Sequence, residues 1–328
     1  RLLGAIPAST DFRHRKGFPL AADAVVVDEA SMVDVALMAK LIGALGDHCR
    51  LVLVGDRNQL ASVEAGAVLG DLCGRSRTPG ISRRWDHLLA EATGLRPADP
   101  IPRKCKEADL RDAVVLLHRS YRFPPRSGIA RFSRKINRGD AAGALQATSS
   151  APCQDSVFWM DTDDPAALFR HLETIVARAY APLVRAASPQ KALEQARRFK
   201  ILCAVNRGVF GVDAFNDLAV RVLQQQGLVP QDGGAWFPGR PILILQNDYG
   251  LGLFNGDLGV AMPDPDTGTL QVHFPDESGG LRKIPPIRIP AHQSAFAMTV
   301  HKSQGSEFDE VLLVLDRKST RLNSSHYS

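Results

Sequence analysis

Asp28 and Glu29 are the residues with the plainest chemistry. They interrupt the stretch AVVVDEASMVD, Ala24 to Asp34, where a β-branched run, Val25 to Val27, meets two carboxylates. A run of that length reads as a buried strand of a parallel sheet. Groups just past such a strand sit at the carboxyl end of the sheet, where open α/β folds bind ligands. Paired acids there suit nucleotide hydrolysis: Asp28 would hold Mg2+, directly or through water, and Glu29 would position and deprotonate the attacking water. An acidic turn without chemistry is the plainer alternative. A second strand, RLVLVGD from Arg50 to Asp56, runs into Asp56, Asn58 and Gln59. On the same sheet, these groups would lie beside Asp28 and Glu29. Gln59 there can bond a γ-phosphate or its attacking water, or else satisfy a backbone N–H at a helix start.

The elements that must hold these residues follow from periodicity. Leu37, Leu41 and Leu45 recur every four residues, which predicts an amphipathic helix over 34–45, with Ser31 as a candidate cap and Gly46 as its stop. Strand, helix and strand make a βαβ unit. Gly66, Val68, Leu69 and Leu72 suggest a closing helix. Helices are also expected over 85–93, 127–138 and 164–198, the last with Leu168, Leu172, Ile175 and Val176 on one face and punctuated by Pro182 and Pro189. Residues 141–160 read as loop and strand. Lys200 to Val205 is a third buried strand; Asn206 beyond it could meet a DNA backbone or merely begin a helix.

From Gly233 the texture changes. RPILILQND, GDLGVAMPD, LQVHFPD and LRKIPPI are short strands separated by Gly, Asp and Pro turns, the pattern of a small all-β insertion. Its loop DYGLGLFNGD offers Tyr249 for base stacking, with packing inside a small barrel as the alternative. AFAMTVHKSQGSEFDEVLLVL then returns to strand, loop and strand. In it Thr299, His301, Lys302 and Gln304 can hold DNA phosphates, and Glu307 could bond a ribose. A metal on His301 is not expected, since no second His or Cys lies at ligand spacing, and a lone hydrogen-bonded histidine is the plainer alternative.

At 328 residues the chain has room for two domains. A net charge of +5 and a pI near 9.0 are compatible with a nucleic-acid partner. The five cysteines include no CxxC pair and read as reduced thiols of a cytoplasmic protein. No run of about 18 apolar residues occurs, so no membrane span is expected.

DEASMVD, followed by GDRNQLASVEAGAVLGDLC, resembles motifs II and III of superfamily 1 DNA helicases, and within them the RecD family, the alpha subunits of exodeoxyribonuclease V. SYRF, Ser120 to Phe123, resembles motif IV, whose arginine is Arg122 here, with Arg119 a weaker candidate. TVHKSQGSEF resembles motif V almost letter for letter.

The resemblance implies an α/β fold of two RecA-like parallel-sheet domains, the first incomplete, with an SH3-like β-barrel inserted in the second. The implied segments are 1–118, 119–232, 233–292 and 293–315. It implies ATP and Mg2+ as ligands. Glu29, Gln59 and Arg122 would be catalytic, and Asp28, Asp56 and Glu307 would bind the nucleotide and its metal. Asn206, Tyr249, Thr299, His301, Lys302 and Gln304 would contact DNA. It further implies 5′ to 3′ unwinding in double-strand break repair and recombination. The partners would be single-stranded and duplex-end DNA and beta and gamma subunits of the RecB and RecC type.

No G-x-x-x-x-G-K-[ST] occurs in the sequence. The expectation is therefore a middle fragment, without the phosphate loop or motif VI and inactive by itself. Residues 316–328 show no apolar period, and DRKSTRLNSSH back-translates into a common sequencing-adapter string, so this tail is expected to be artefactual. A stand-alone RecD-like helicase and a catalytically dead DNA-binding scaffold are the alternatives.

Overall fold

The computed structural model describes residues 2–6, 9–60, 66, 68–73, 82–94, 110–117, 121–148, 157–160, 164–231, 234–276 and 279–315. Arg119 and the 316–328 tail lie outside them. The chain divides into two units, Arg1–Met160 and Asp161–Ser328.

In the first unit, β1 (Ala24–Val27) and β2 (Arg50–Leu53) pair in parallel, with Val27 opposite Leu53. Between them runs α1 (Val35–Gly43), capped by Asp34, whose carboxylate accepts from the Leu37 N–H at 2.7 Å. The expected cap, Ser31, instead lies buried in a short 3-10 turn, Ala30–Met32. The buried face of α1 is Met38 and Leu41, joined by Ala44, Leu3 and Val25. Leu37 is exposed and Leu45 falls beyond the helix. The expectation of strands buried on both faces is also corrected. α1 covers one face, while on the other Val26 is 65% exposed and Val52 and Val54 are open as well. Further along are α2 (Val68–Cys73), α3 (Arg83–Thr93), α4 (Gly128–Asn137) and α5 (Ala141–Gln146). α5 replaces part of the loop expected over 141–160. Asp140 caps it by accepting from the Gly143 N–H.

The second unit opens with α6 (Pro165–Val184) and α7 (Pro189–Arg198). Pro182 sits in the last turn of α6 without ending it, whereas Pro189 starts α7, where its missing N–H costs nothing. β3 (Phe199–Cys203) is buried throughout and lies between β9 (Ala297–Thr299) and β10 (Glu310–Val314), all parallel. α8 (Val212–Gln225) follows β3. Phe199, Ile201 and Cys203 face the main core with Tyr180, Phe215 and Phe296.

The all-β insertion forms as expected. β4 (Arg240–Ile244), β5 (Leu258–Pro263), β6 (Leu270–Pro275), β7 (Leu281–Ile284) and β8 (His292–Ser294) make an antiparallel sheet in the order β7-β6-β5-β4-β8. One face encloses its own core of Ile242, Ile244, Val272, Phe274 and Ile284. The other sends Val260 and Met262 into the main core. The fold is thus mixed α/β with parallel sheets.

Three side chains from three elements hold the strand that leads into the 299–307 loop. Lys200 Nζ donates to the Ala295 carbonyl at 2.6 Å, and the Tyr180 hydroxyl donates to the Phe296 carbonyl. Asn216, on α8, both donates to the Ala297 carbonyl at 3.3 Å and accepts from the Ala297 N–H at 2.9 Å. Because Phe296 C=O turns toward Ile201 N–H, the Ala297 groups point away from β3, and Asn216 stands in for a strand there.

Candidate functional site

Asp28 and Gly55–Asp56 leave adjacent parallel strands at the same end of the sheet, as the sequence led one to expect. Backbone bonds tie the two turns: Val54 N–H donates to Val27 C=O at 2.8 Å, and Ala30 N–H to Val54 C=O at 2.9 Å. A Cβ on Gly55 would lie 3.1 Å from the Ala30 nitrogen and 3.2 Å from that of Ser31. Only a glycine lets the second turn press this closely on the first.

Asp28 is exposed and one of its oxygens accepts from the Glu29 N–H at 2.9 Å. Glu29 is half-buried with φ 51° and ψ 40°, the only non-glycine at positive φ among the described residues. Such a conformation costs on the order of 1–2 kcal/mol for a residue with a Cβ. It turns the chain directly after Asp28 and opens the 3-10 turn at Ala30–Met32. Asp56 shapes the second turn: its side chain accepts from Asn58 N–H and its carbonyl from Gln59 N–H. Gln59 is exposed beyond it.

Among the described residues no cluster of three or more His, Cys, Asp or Glu could hold a metal alone. A single outward carboxylate such as Asp28 fits Mg2+ that arrives with a phosphate, since that ion keeps waters and takes few protein ligands. Arg122 lies in an exposed bend of the same unit.

In the second unit the Thr299–Glu307 segment leaves β9, makes a 3-10 turn at His301–Ser303 and enters β10. Thr299 is buried, and its hydroxyl accepts from Lys302 N–H, while Ser303 Oγ donates to Val300 C=O at 2.8 Å. These bonds set the turn, leaving His301, Lys302 and Gln304 half-buried and Gly305 to Glu307 exposed. Burial pulls the Lys302 ammonium below its ordinary pKa. Asn206 is exposed after β3, and its carbonyl accepts from Asp213 N–H at the start of α8. Tyr249 is 68% exposed, edge-on to the half-buried Phe254 at 6.0 Å. Sequence reasoning missed Lys200 and Asn216, both buried polar residues inside apolar patterns.

A family model described as an AAA domain matches residues 7–83, the stretch that holds β1, α1 and β2 with Asp28, Glu29, Asp56 and Gln59. The chain is 35% identical over 323 residues to the RecBCD enzyme subunit RecD of Mycolicibacterium smegmatis, across 98% of this chain and 50% of that protein. To RecD of Haemophilus influenzae it is 34% identical, across 96% of this chain and 50% of that protein. The ATP-dependent RecD2 DNA helicase of Deinococcus radiodurans is 27% identical, across 96% of this chain and 35% of that protein. Among solved structures, a Bacteroides Pif1 helicase in complex with ADP-AlF3 and ssDNA gives a TM-score of 0.41 at 14% identity, across 90% of this chain and 65% of that one. The similarity to RecD subunits extends over nearly the whole chain, which spans about half the length of these relatives. No described helix is long and apolar enough to cross a membrane.

Proposed function

We propose that this chain carries hydrolytic and DNA-tracking segments of an ATP-dependent, 5′ to 3′ DNA helicase of the RecD type. The observation that carries the reading is the pressing together of the Asp28–Glu29 and Asp56–Gln59 turns through Gly55. Asp28 would hold Mg2+ on the phosphates, which supplies positive charge as the terminal phosphoryl departs. Glu29 would take the proton of the attacking water, and Gln59 would orient that water or the γ-phosphate. Arg122 would meet developing phosphate charge, Asp56 would order the turn that presents Gln59, and Glu307 would bond the ribose. Asn206, Tyr249 and the Thr299–Gln304 loop would track single-stranded DNA.

Residues 1–118 would be an incomplete RecA-like domain, 119–232 with 293–315 a second one, and the five-stranded insertion within 233–292 would be SH3-like. The finer assignment is an alpha subunit acting with RecB- and RecC-type partners at duplex ends in repair and recombination, in the cytoplasm. The identity to RecD subunits favours it over a stand-alone RecD2-type helicase.

The sequence contains no G-x-x-x-x-G-K-[ST]. The isolated 328-residue chain should therefore show no DNA-stimulated ATP hydrolysis, whereas a full-length RecD-type protein containing it should hydrolyse ATP on adding single-stranded DNA. Turnover by the isolated chain that disappears with Glu29→Gln would mean the phosphate site has been misplaced. A full-length protein indifferent to DNA would leave the scaffold reading standing.

The two ends of the 299–307 loop should behave differently. In the full-length protein Gln304→Ala should weaken single-stranded DNA binding about equally across sequences, by roughly 1 kcal/mol, with ATP affinity unchanged. Glu307→Ala should do the reverse. Anisotropy with labelled oligonucleotides and nucleotide titration separate the two; a loss of ATP affinity in Gln304→Ala would assign that residue to the nucleotide.

A further inference from the structure

Lys200 has no part in the chemistry described so far, yet its side chain is fully buried. It lies on β3, on the face shared with Leu202, where a second small core gathers Leu243, Ala295 and Met298 with Phe308 packed against it. Its ammonium donates to the Ala295 carbonyl at 2.6 Å and stands 5.6 Å from the centre of the Phe308 ring. Ala295 comes just before β9, and Phe308 closes the 299–307 loop just before β10. One cation therefore touches the chain on both sides of the loop. A buried ammonium survives only with compensation, here a carbonyl and a π face. Burial alone pulls its pKa down to about 7.

We propose that Lys200 is a positioning residue for the Thr299–Glu307 loop, its ammonium fastening the Ala295 carbonyl at the entry and the Phe308 ring at the exit. The entry is held independently as well, by Tyr180 on Phe296 and Asn216 on Ala297. The exit has Phe308 as its inward anchor, between exposed Glu307 and exposed Asp309. Lys200 thus matters most for the exit half, Gln304 to Phe308, which includes Gly305 at φ 75°. Its consequence for DNA binding rests on the reading that this loop meets DNA.

The test is amide hydrogen exchange across 295–310 in the full chain, alongside binding of labelled oligo(dT). Lys200→Met keeps the volume and removes the cation. It should raise exchange over 304–308 by about tenfold while 212–225 in α8 stays protected. Oligo(dT) affinity should fall several-fold. Phe308→Leu, at a half-buried site where folding is safer, should reproduce the faster exchange, and Phe308→Trp, which keeps a ring face, should restore the wild-type rate. Exchange over 304–308 that is unchanged in Phe308→Leu, or that rises equally in α8, would overturn the proposal. So would failure of Phe308→Trp to restore it. A loosened loop with oligo(dT) binding unchanged would keep Lys200 as the loop's anchor and refute the DNA reading instead.

Discussion

Glu29→Gln in the full-length protein should abolish most ATP hydrolysis, by roughly 10²- to 10⁴-fold, with ATP binding retained. The amide keeps the shape of the carboxylate but cannot take a proton from water. Asp28→Asn should differ: its side-chain oxygen can still accept from the Glu29 N–H, as Asp28 does now at 2.9 Å. Losing the charge should weaken the Mg2+–nucleotide complex. Binding of a fluorescent ATP analogue, measured beside turnover, decides between them; equal loss of binding in both variants would refute the division of labour. A third variant exposes the strain. Glu29→Gly relieves the left-handed backbone at φ 51° and should raise stability by on the order of 1 kcal/mol while remaining inactive. A lowered melting temperature in Glu29→Gly would show that the carboxylate also stabilises the fold.

Gly55→Ala should be nearly as damaging to turnover although it adds one carbon and removes no reacting group. Its Cβ would meet Leu69 Cδ2 at 2.8 Å, which can swing aside, and the Ala30 and Ser31 nitrogens at 3.1 and 3.2 Å, which cannot move without shifting the turn that carries Glu29. A displacement of about 1 Å between groups that must cooperate can cost roughly 10²-fold in rate. The expected stability cost is smaller, ~1–3 kcal/mol. Turnover should fall while DNA affinity holds, because the Thr299–Gln304 loop belongs to the other unit. Wild-type turnover in a folded Gly55→Ala protein would detach the Asp56–Gln59 turn from hydrolysis.

How much was legible depended on whether a residue's role was written in its neighbours. The β1 and β2 ends could be read because β-branched runs stop abruptly at acids, and parallel pairing aligns those stops. The face of α1 was misread because a four-residue spacing selected Leu37, which falls in the first turn beside the Asp34 cap, over Met38. α5 carries too few large apolar residues to show a period; its only signal was Asp140 three residues before Gly143. Lys200 and Asn216 left faint traces, one polar residue in KILCAV and one among Phe215, Leu218, Ala219 and Val222. What each would bond lay some eighty to a hundred residues away, at Ala297 and Ala295. Val26 and Val52 looked like core because strand composition does not record which face finds a cover.

The Asn216 amide also bears on what the α8 face can tolerate. β9 lies at the edge of its three-stranded sheet, yet Ala297 is fully buried, so its outward N–H and C=O meet neither water nor a further strand. Asn216 occupies both groups with one short side chain. Asn216→Leu would orphan both, at roughly 1–3 kcal/mol for each. Its signature would be a lowered melting temperature with the oligomeric state of the folded protein unchanged.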